Sequence, residues 1–181
     1  SKAELVDALG IVSAAIEVRT TTPILECVKI EVYDDRATLI ATSIDLTIKR
    51  TIQANVVDSG IVCVSCTDLL KVLQSMQTES VSLRLDGTRL VVNGKKSTLR
   101  MPCYEVETFP DTKQERVNPA LVSNSLGIIK AVCAISRFSV KKEKDAGKYL
   151  TPGVVMYSKG DNTWVSAYNQ HRMAYVEVAG C

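Results

Sequence analysis

The sequence predicts an α+β protein built from a repeated unit of one strand, one helix and three further antiparallel strands. A serine placed to cap a helix occurs at Ser1, Ser65 and Ser123, at intervals of 64 and 58 residues. After each serine, apolar residues recur at helical spacing and then give way to alternating strands separated by turn signals. A period near sixty residues is longer than that of typical solenoid repeats, so we expect these units to pair into domains.

The first repeat begins directly on its helix. Ser1 and Glu4 have the spacing of a capping box, in which two of the free amides at a helix start are satisfied. Leu5, Leu9 and Val12 then recur at spacings of three and four, which predicts one apolar helix face. Because the chain starts on this cap without an initiator methionine, we expect a fragment or a processed product.

Three strands are predicted after this helix. A threonine-rich turn ending in Pro23 stops the helix, and an alternating strand runs from Ile24 to Val32. The turn at Asp34-Asp35 leads into a hairpin partner at 37–42, and a third strand is predicted from Leu46 to Val57.

The second repeat contains every element of the unit. A short strand at 61–64 precedes Ser65 and Asp68, which again resemble a capping box at the start of an amphipathic helix. The three strands that follow are separated by Asp86-Gly87 and Asn93-Gly94, dipeptides that tolerate positive φ in tight turns.

A domain boundary is predicted near residue 113. The segment Pro102–Glu115 holds two prolines and ends in a polar run, which is typical of a linker. We therefore expect one domain of two repeats at 1–113 and half of a second domain at 114–181. In the latter, an irregular or edge strand is predicted at 117–122 because Pro119 cannot donate to a ladder, with Ser123 capping the third helix.

Composition indicates a globular chain whose cysteines are free thiols. The sequence is 46% hydrophobic and 23% charged, and no apolar run approaches the ~20 residues needed to cross a bilayer. Its six cysteines are scattered through apolar patterns without a secretory signal, which favours free thiols in the cytoplasm.

The charge is concentrated in one segment. The formal net charge is only +2, yet the segment from Arg137 to Lys148 contains five basic residues and two acidic ones. Such a cluster can be an ordinary solvated loop or a surface that attracts phosphates, and the sequence leaves both readings open.

Cys63 and Cys66 form the one motif of enzymatic type. Two cysteines separated by two residues can carry thiol redox chemistry or bind zinc. A zinc site needs further ligands, and the chain has no second such pair and a single histidine, His171. The structural reading is a strand residue at Cys63 and a helix-start residue at Cys66.

The sequence resembles the bacterial DNA polymerase III beta subunit, the sliding clamp. Arg19–Leu25 looks like that family's arginine, threonine-rich turn and Pro-Ile-Leu strand start, and Ala41–Leu46 resembles its Thr-x-x-Asp-Leu segment. Phe109-Pro110 matches the step that closes its first domain. Tyr149-Leu150 and Gln170–Ala174 are similar to its second-domain pocket, and the order and intervals of these segments agree across nearly the whole chain.

The resemblance implies the DNA-clamp fold, with antiparallel sheets outside and helices on the inner face. In this family, three domains of two units each make one chain, and two chains close a ring around duplex DNA. The present sequence resembles three of those six units, and it departs from the pattern by lacking the first strand and the third domain. The implied role is a non-catalytic, cofactor-free processivity factor in the cytoplasm, associated with the nucleoid and with no membrane contact.

The resemblance and the basic segment together predict three sites. Residues expected to contact DNA are Arg19, Arg137, Lys141, Lys142, Lys148 and Tyr149. Residues expected to form a pocket for polymerase and clamp-loader peptides are Leu150, His171, Arg172 and Met173. Leu99 and Met101 are expected on the edge strand where a second chain attaches, an edge that is prone to self-association when unpaired.

Two competing hypotheses accompany the clamp. One is a thiol oxidoreductase that uses Cys63 and Cys66. The other is an interaction module that has the peptide pocket of a clamp without encircling DNA. A clamp can hold DNA by topology and by phosphate contacts that do not specify sequence, so its retention on a DNA circle distinguishes it from the module.

Overall fold

The computed structural model describes residues 1–16, 22–43, 46–110, 125–140 and 153–180. In these residues the helices are α1 (Lys2–Val12), α2 (Cys66–Ser75) and α3 (Ser125–Ile135). The strands are β1 (Cys27–Tyr33), β2 (Arg36–Thr42), β3 (Thr47–Gln53), β4 (Gly60–Ser65), β5 (Ser82–Asp86), β6 (Arg89–Asn93), β7 (Thr98–Pro102), β8 (Val155–Lys159), β9 (Asn162–Tyr168) and β10 (Met173–Ala179). The chain divides into two compact units, an N-terminal unit, Ser1–Gln114, and a C-terminal unit, Glu115–Cys181.

The predicted helix caps of the first two repeats are present. Ser1 Oγ accepts a hydrogen bond from the Glu4 amide at 3.2 Å, and Ser65 Oγ accepts one from the Asp68 amide at 3.3 Å. A side-chain cap of this kind contributes about 0.5–2 kcal/mol because it satisfies an amide that has no partner within the helix. The predicted cap at Ser123 lies outside the described residues.

The first strand starts later than the sequence predicts. Residues Pro23–Glu26 form a 3-10 turn, in which the Leu25 amide donates to the Thr22 carbonyl at 3.0 Å, and the strand begins only at Cys27. Pro23 fixes its own φ near the helical value and has no N–H, which suits the start of a helical turn. The hydrophobic pattern alone could not distinguish this turn from strand.

The first sheet has the strand order β3-β2-β1-β4, and all of its pairs are antiparallel. Asp34, with φ of 51°, makes the tight turn between β1 and β2. The third strand ends at Gln53, before the predicted Val57, and the Ala54 amide closes the sheet edge by donating to the Asp35 carbonyl. The second repeat thus contributes β4 to the sheet of the first repeat.

The second sheet has the order β5-β6-β7, and both sheets of the N-terminal unit share one core with α1 and α2. Leu9 from α1, Leu39 from β2, Leu69 from α2 and Val92 from β6 are all fully buried in this cluster. Each such side chain contributes about 1.5–3 kcal/mol through removal of its apolar surface from water. The two repeats are therefore halves of one domain core.

The outer side of the first sheet is covered by the chain that follows β7. The Tyr104 amide donates to the Cys63 carbonyl at 2.8 Å, which extends the sheet beyond β4. Phe109 is buried against Cys27 and Ile40, and the Lys29 ammonium lies 5.2 Å from the centroid of its ring. The predicted Phe-Pro step thus seals this face.

The C-terminal unit contains a helix on a three-stranded sheet of order β10-β9-β8. α3 packs on β9 and β10, and the small core consists of Ala131, Ile135, Val165, Ala167 and Val178. Gly160, at φ of 60°, makes the turn between β8 and β9. The predicted strand at 117–122 lies outside the described residues.

Candidate interaction surfaces

Arg137 is the one predicted DNA-contact residue within the described residues. It lies in the 3-10 turn Ser136–Phe138 that follows α3, its side chain is exposed, and its Nε donates to the Ala134 carbonyl at 2.9 Å. This bond fixes the base of the guanidinium against the end of the helix. The other predicted contacts, Arg19, Lys141, Lys142, Lys148 and Tyr149, lie outside the described residues.

Lys130 is a second exposed cation near Arg137, although it was not among the predicted site residues. The two positions are seven residues apart, with Lys130 in α3 and Arg137 in the 3-10 turn that follows it, and both are exposed. A pair of exposed cations can contact phosphates without reading bases. The i, i+7 spacing in the sequence was the available signal for this pair.

The helices of the N-terminal unit have a different charge. In α1, Lys2 Nζ donates to the Met76 carbonyl at 2.8 Å, which leaves Glu4 and Asp7 as its exposed charges. In α2, Lys71 lies 3.7 Å from Asp68 in an exposed i, i+3 ion pair. Among the described helices, only α3 therefore has an excess of positive charge.

His171, Arg172 and Met173 lie together at the tight connection between β9 and β10. Asn169 Oδ1 accepts hydrogen bonds from the amides of His171 and Arg172, both at 2.9 Å, and the Asn169 amide donates to the Arg172 carbonyl. All three predicted pocket side chains are exposed, and Met173 is 71% exposed. The fourth predicted pocket residue, Leu150, lies outside the described residues.

Asn169 organises this connection, although it was not among the predicted site residues. A side-chain carbonyl that accepts from amides two and three residues on forms an Asx turn, which asparagine favours. The turn fixes the backbone from which the imidazole and guanidinium project. An asparagine at the end of an alternating strand was the sequence signal for this role.

Leu99 and Met101 lie on β7, which is an edge strand of the second sheet. Leu99 is 39% exposed, whereas Met101 is buried in the core of the N-terminal unit, opposite Leu90 on β6. Of these two side chains, Leu99 is therefore the one that is accessible at the surface. Met101 contributes to this edge through its backbone only.

Cys63 and Cys66 face different cores. The Cys63 side chain belongs to the cluster under Phe109, on the outer side of the first sheet, and Cys66 belongs to the main core of the N-terminal unit. Burial raises the pKa of each thiol to about 11, so neither is a thiolate near neutral pH. Thiol redox chemistry needs the thiolate, and this arrangement does not favour it.

The described residues contain no cluster of side chains suited to bind a metal ion. No group of three or more histidine, cysteine, aspartate or glutamate side chains is placed there to hold an ion. The same part of the chain contains no helix long and apolar enough to span a bilayer.

A match to a known family identifies the family of this chain. The profile of the DNA polymerase III beta subunit, N-terminal domain, matches residues 1–113, which is more than half of the chain. This chain belongs to the DNA polymerase III beta subunit family. The match covers the two repeats that share the main core.

Relatives of the beta subunit family match beyond this domain. The beta sliding clamp of Rickettsia bellii is 26% identical over an alignment of 176 residues, and the alignment covers 96% of this chain and 45% of that protein. The beta sliding clamp of Caulobacter vibrioides is 24% identical over 184 residues, with 98% and 49% covered. The chain thus spans about half the length of the curated relatives it matches.

Solved beta subunits share the fold. The Caulobacter crescentus pol III beta structure superposes with a TM-score of 0.84 at 24% identity. The superposition covers 98% of this chain and 49% of the Caulobacter chain. A sliding clamp from Pseudomonas aeruginosa, bound to griselimycin, gives a TM-score of 0.86 at 18% identity and covers 98% and 48%. The predicted α+β clamp fold is confirmed by these likenesses.

Proposed function

We propose that this chain acts as a DNA polymerase processivity clamp, or as a part of one, that binds duplex DNA without sequence specificity. Membership of the beta subunit family supports this proposal, as does the clamp fold. The observation on the chain itself that carries it is a pair of exposed cations, Lys130 in α3 and Arg137 in the turn that follows α3. The role is non-catalytic, because holding DNA and a polymerase together requires no reacting group.

The proposed organisation has two domains, one at 1–113 and half of another at 114–181. Proposed DNA contacts are Arg19, Arg137, Lys141, Lys142, Lys148 and Tyr149, to which we add Lys130 because it is exposed. Duplex DNA, DNA polymerase and clamp-loader subunits are the proposed partners, with a second chain attached at the β7 edge through Leu99 and the Met101 backbone. Because its main partner is chromosomal DNA, the protein is placed in the cytoplasm, associated with the nucleoid.

The electrostatic part of the proposal can be tested by the salt dependence of DNA affinity. Binding of a labelled duplex is measured by fluorescence anisotropy at several salt concentrations, for the wild type and for Lys130→Ala/Arg137→Ala. Each lost phosphate contact lowers the slope of log affinity against log salt by about 0.9, so we expect a slope lower by about 2. Lys71→Ala is the matched control, since this helix lysine is already paired with Asp68.

The encircling part of the proposal needs a separate measurement. Retention of the protein on a closed DNA circle, lost when the circle is cut, supports topological binding. Equal retention on both forms of DNA, with the slope difference intact, contradicts encirclement and leaves a clamp fragment that binds DNA from one side.

A second candidate function is an interaction module that docks polymerase peptides without holding DNA. This alternative rests on the exposed group His171, Arg172 and Met173, on a connection fixed by Asn169, whereas the family match and the beta sliding clamp relatives favour the clamp. A fluorescent peptide carrying the clamp-binding segment of a bacterial polymerase subunit is the probe. Met173→Glu is expected to weaken peptide binding at least tenfold, and peptide binding in the absence of any affinity for DNA would favour the module.

A further inference from the structure

The second sheet of the N-terminal unit is strongly basic. Residues 82–102, which contain β5, β6 and β7, include a single acidic residue, Asp86, although the net charge of the whole chain is only +2. The basic residues of this range are all exposed, and they are Arg84, Arg89, Lys95, Lys96 and Arg100. A local excess of positive charge of this kind attracts negatively charged partners.

The strand register brings the three arginines onto one face of the sheet. Arg84 and Arg100 lie directly opposite Val91, one on each side of the central strand, and Arg89 precedes Val91 by two residues. Residues that are opposite one another, or two apart in a strand, share a face. Val92, the next residue after Val91, is buried in the main core, so the arginines lie on the side that faces away from this core. Together they form the arginine face.

Val91 indicates how the arginine side chains lie. It is only 1% exposed, although it belongs to none of the hydrophobic clusters of the described residues. Its nearest neighbours across the strands are Arg84 and Arg100, and methylene stems of arginine can cover an apolar side chain while the charged ends reach water. The guanidinium groups therefore start from an ordered base, which lowers the entropic cost of binding a ligand.

Most of the charge on this face has no counter-charge within the described residues. Arg84 Nη2 lies 3.8 Å from Asp86 Oδ2 in an exposed ion pair, a contact that contributes little in water. The ion pairs of the described residues do not include Arg89 or Arg100. Charged side chains are stable in water without any cover, so exposure is the ordinary state of this face.

We propose that the arginine face is a docking surface for an acidic, extended segment of a partner protein. An extended chain turns alternate side chains to the same side at intervals of about 6.6–6.8 Å, which is also the distance along β6 from Arg89 to the row of Arg84 and Arg100. Carboxylates at alternate positions of such a segment therefore meet successive arginines. The planar guanidinium group suits this role, because it can bind a carboxylate through two parallel hydrogen bonds.

Two features favour an acidic peptide over a nucleic acid. The three strands of this sheet contain no aromatic side chain, so they offer no platform on which the bases of a single strand could stack. Asp86 lies directly opposite Arg89 on the same face. A phosphate backbone carries charge at every step and meets this carboxylate, whereas a peptide can place a neutral residue there.

The arginine face is distinct from the surfaces proposed above. Along β7, Arg100 lies between Leu99 and Met101 in the sequence, and its side chain is therefore on the opposite side of the sheet from theirs. The cations Lys130 and Arg137 belong to the other compact unit. Docking of an acidic segment thus uses none of the residues proposed to contact DNA.

Fluorescence anisotropy of a labelled peptide of alternating glutamate and serine tests the proposal, with a peptide of alternating glutamine and serine as the neutral probe. We expect only the acidic peptide to bind, and added salt to weaken the binding because the charges are exposed. Arg89→Gln/Arg100→Gln is expected to weaken it at least tenfold. Arg36→Gln/Lys71→Gln is the matched control, since it removes two exposed cations of the same unit from outside the arginine face and should leave the affinity almost unchanged.

Three results overturn the proposal. One is the absence of binding of the acidic peptide. Another is equal weakening by the two double variants, which indicates a general attraction to a basic protein. The third is binding of a labelled DNA at least as tight as that of the peptide and lost in Arg89→Gln/Arg100→Gln, which assigns the face to nucleic acid.

A footprint on the wild-type protein keeps the test independent of the folding of any variant. Phenylglyoxal modifies accessible arginines, and mass spectrometry locates the modified residues. The acidic peptide is expected to protect Arg84, Arg89 and Arg100 while Arg36 stays reactive. Equal modification of these arginines with and without the peptide rejects the docking surface.

Discussion

The N-terminal unit and the C-terminal unit use the same arrangement of a helix on an antiparallel meander, and they differ in how much of it is buried. Among the described residues, the main N-terminal cluster contains nineteen buried residues from both repeats, whereas the C-terminal cluster contains five. In the former, α1 lies against α2 and β1 against β4. The pair of repeats in the N-terminal unit therefore forms one closed core.

The largest expected effect of this difference is on core truncation. Leu9→Ala in α1 is expected to lower the free energy of unfolding of the N-terminal unit by about 2–5 kcal/mol, because it leaves a cavity in a fully closed core. Urea unfolding followed by circular dichroism measures it. Ile11→Ala, on the exposed side of the same helix, is the matched control, with an expected loss of at most about 1 kcal/mol. Equal losses from the two variants would contradict the closed core.

The second expected effect is a loss of stability of the N-terminal unit at alkaline pH. Burial raises the thiol pKa to about 12 at Cys27 and to about 11 at Cys63 and Cys66, against 9.0 for an ordinary thiol. Because the folded-state pKa is the higher one, the contribution is fully present below pH 9 and is lost as the pH rises towards 11–12. The slope is at most about 1.4 kcal/mol per pH unit for each thiol.

Urea titrations between neutral and alkaline pH measure this slope, and Cys66→Ala should reduce it. Cys133 in the C-terminal unit is exposed and provides the contrast. It should react with a thiol reagent in the folded protein, while the three buried thiols react only on unfolding. Rapid modification of all four under native conditions would show that the N-terminal core is open.

A smaller effect is expected from the helix cap of the second repeat. Ser65→Ala removes the acceptor of the Asp68 amide and is expected to cost about 1 kcal/mol. Because α2 is part of the shared core, this loss should appear in the unfolding of the whole N-terminal unit. Far-ultraviolet circular dichroism measures it. Ser65→Asp retains an acceptor and should restore most of the stability. A loss confined to local fraying of α2, visible only by hydrogen exchange, would show that the two repeats are not coupled.

The smallest effect is expected at an exposed side chain of α3 in the C-terminal unit. Leu126→Gln, measured at a concentration where the protein is a single chain, should change the free energy of unfolding by less than about 0.5 kcal/mol, because the side chain is mostly exposed. Ile135→Ala is the buried control on the same helix and should cost more. A large loss for Leu126→Gln would show that the Leu126 side chain is buried within a single chain.

Local signals in the sequence were sufficient for most of the secondary structure. The caps at Ser1 and Ser65 and the Asp86-Gly87 turn depend on a few adjacent residues, and the structure contains all three, whereas the predicted cap at Ser123 lies outside the described residues. The turn at Pro23–Glu26 was missed because an apolar run is compatible with both strand and 3-10 geometry. Which repeat packs against which other repeat is not encoded locally, since the contact of α1 with α2 joins residues that are far apart in the sequence.

The candidate sites were harder to predict, because exposure and charge pairing are tertiary properties. Nothing near Met101 indicates that its side chain is buried while Leu99 remains accessible. The tie between Lys2 and the Met76 carbonyl joins residues 74 positions apart, so the loss of a cation from the surface of α1 was invisible in the sequence. The family resemblance supplied the order of the sites, and the structure supplied which described side chains face outwards.

The cover formed by Tyr104 and Phe109 has a consequence for synthesis on the ribosome. These residues come last in the N-terminal unit, yet they complete the side of the first sheet that Cys27, Ile40 and Cys63 present. Until they emerge, a nascent chain exposes that apolar side and an unpaired strand. This side of the sheet cannot be covered earlier, because the residues that cover it come late in the chain. Folding of this side of the sheet is therefore expected only after Phe109 has been synthesised, and until then the apolar side is open to contact with other chains.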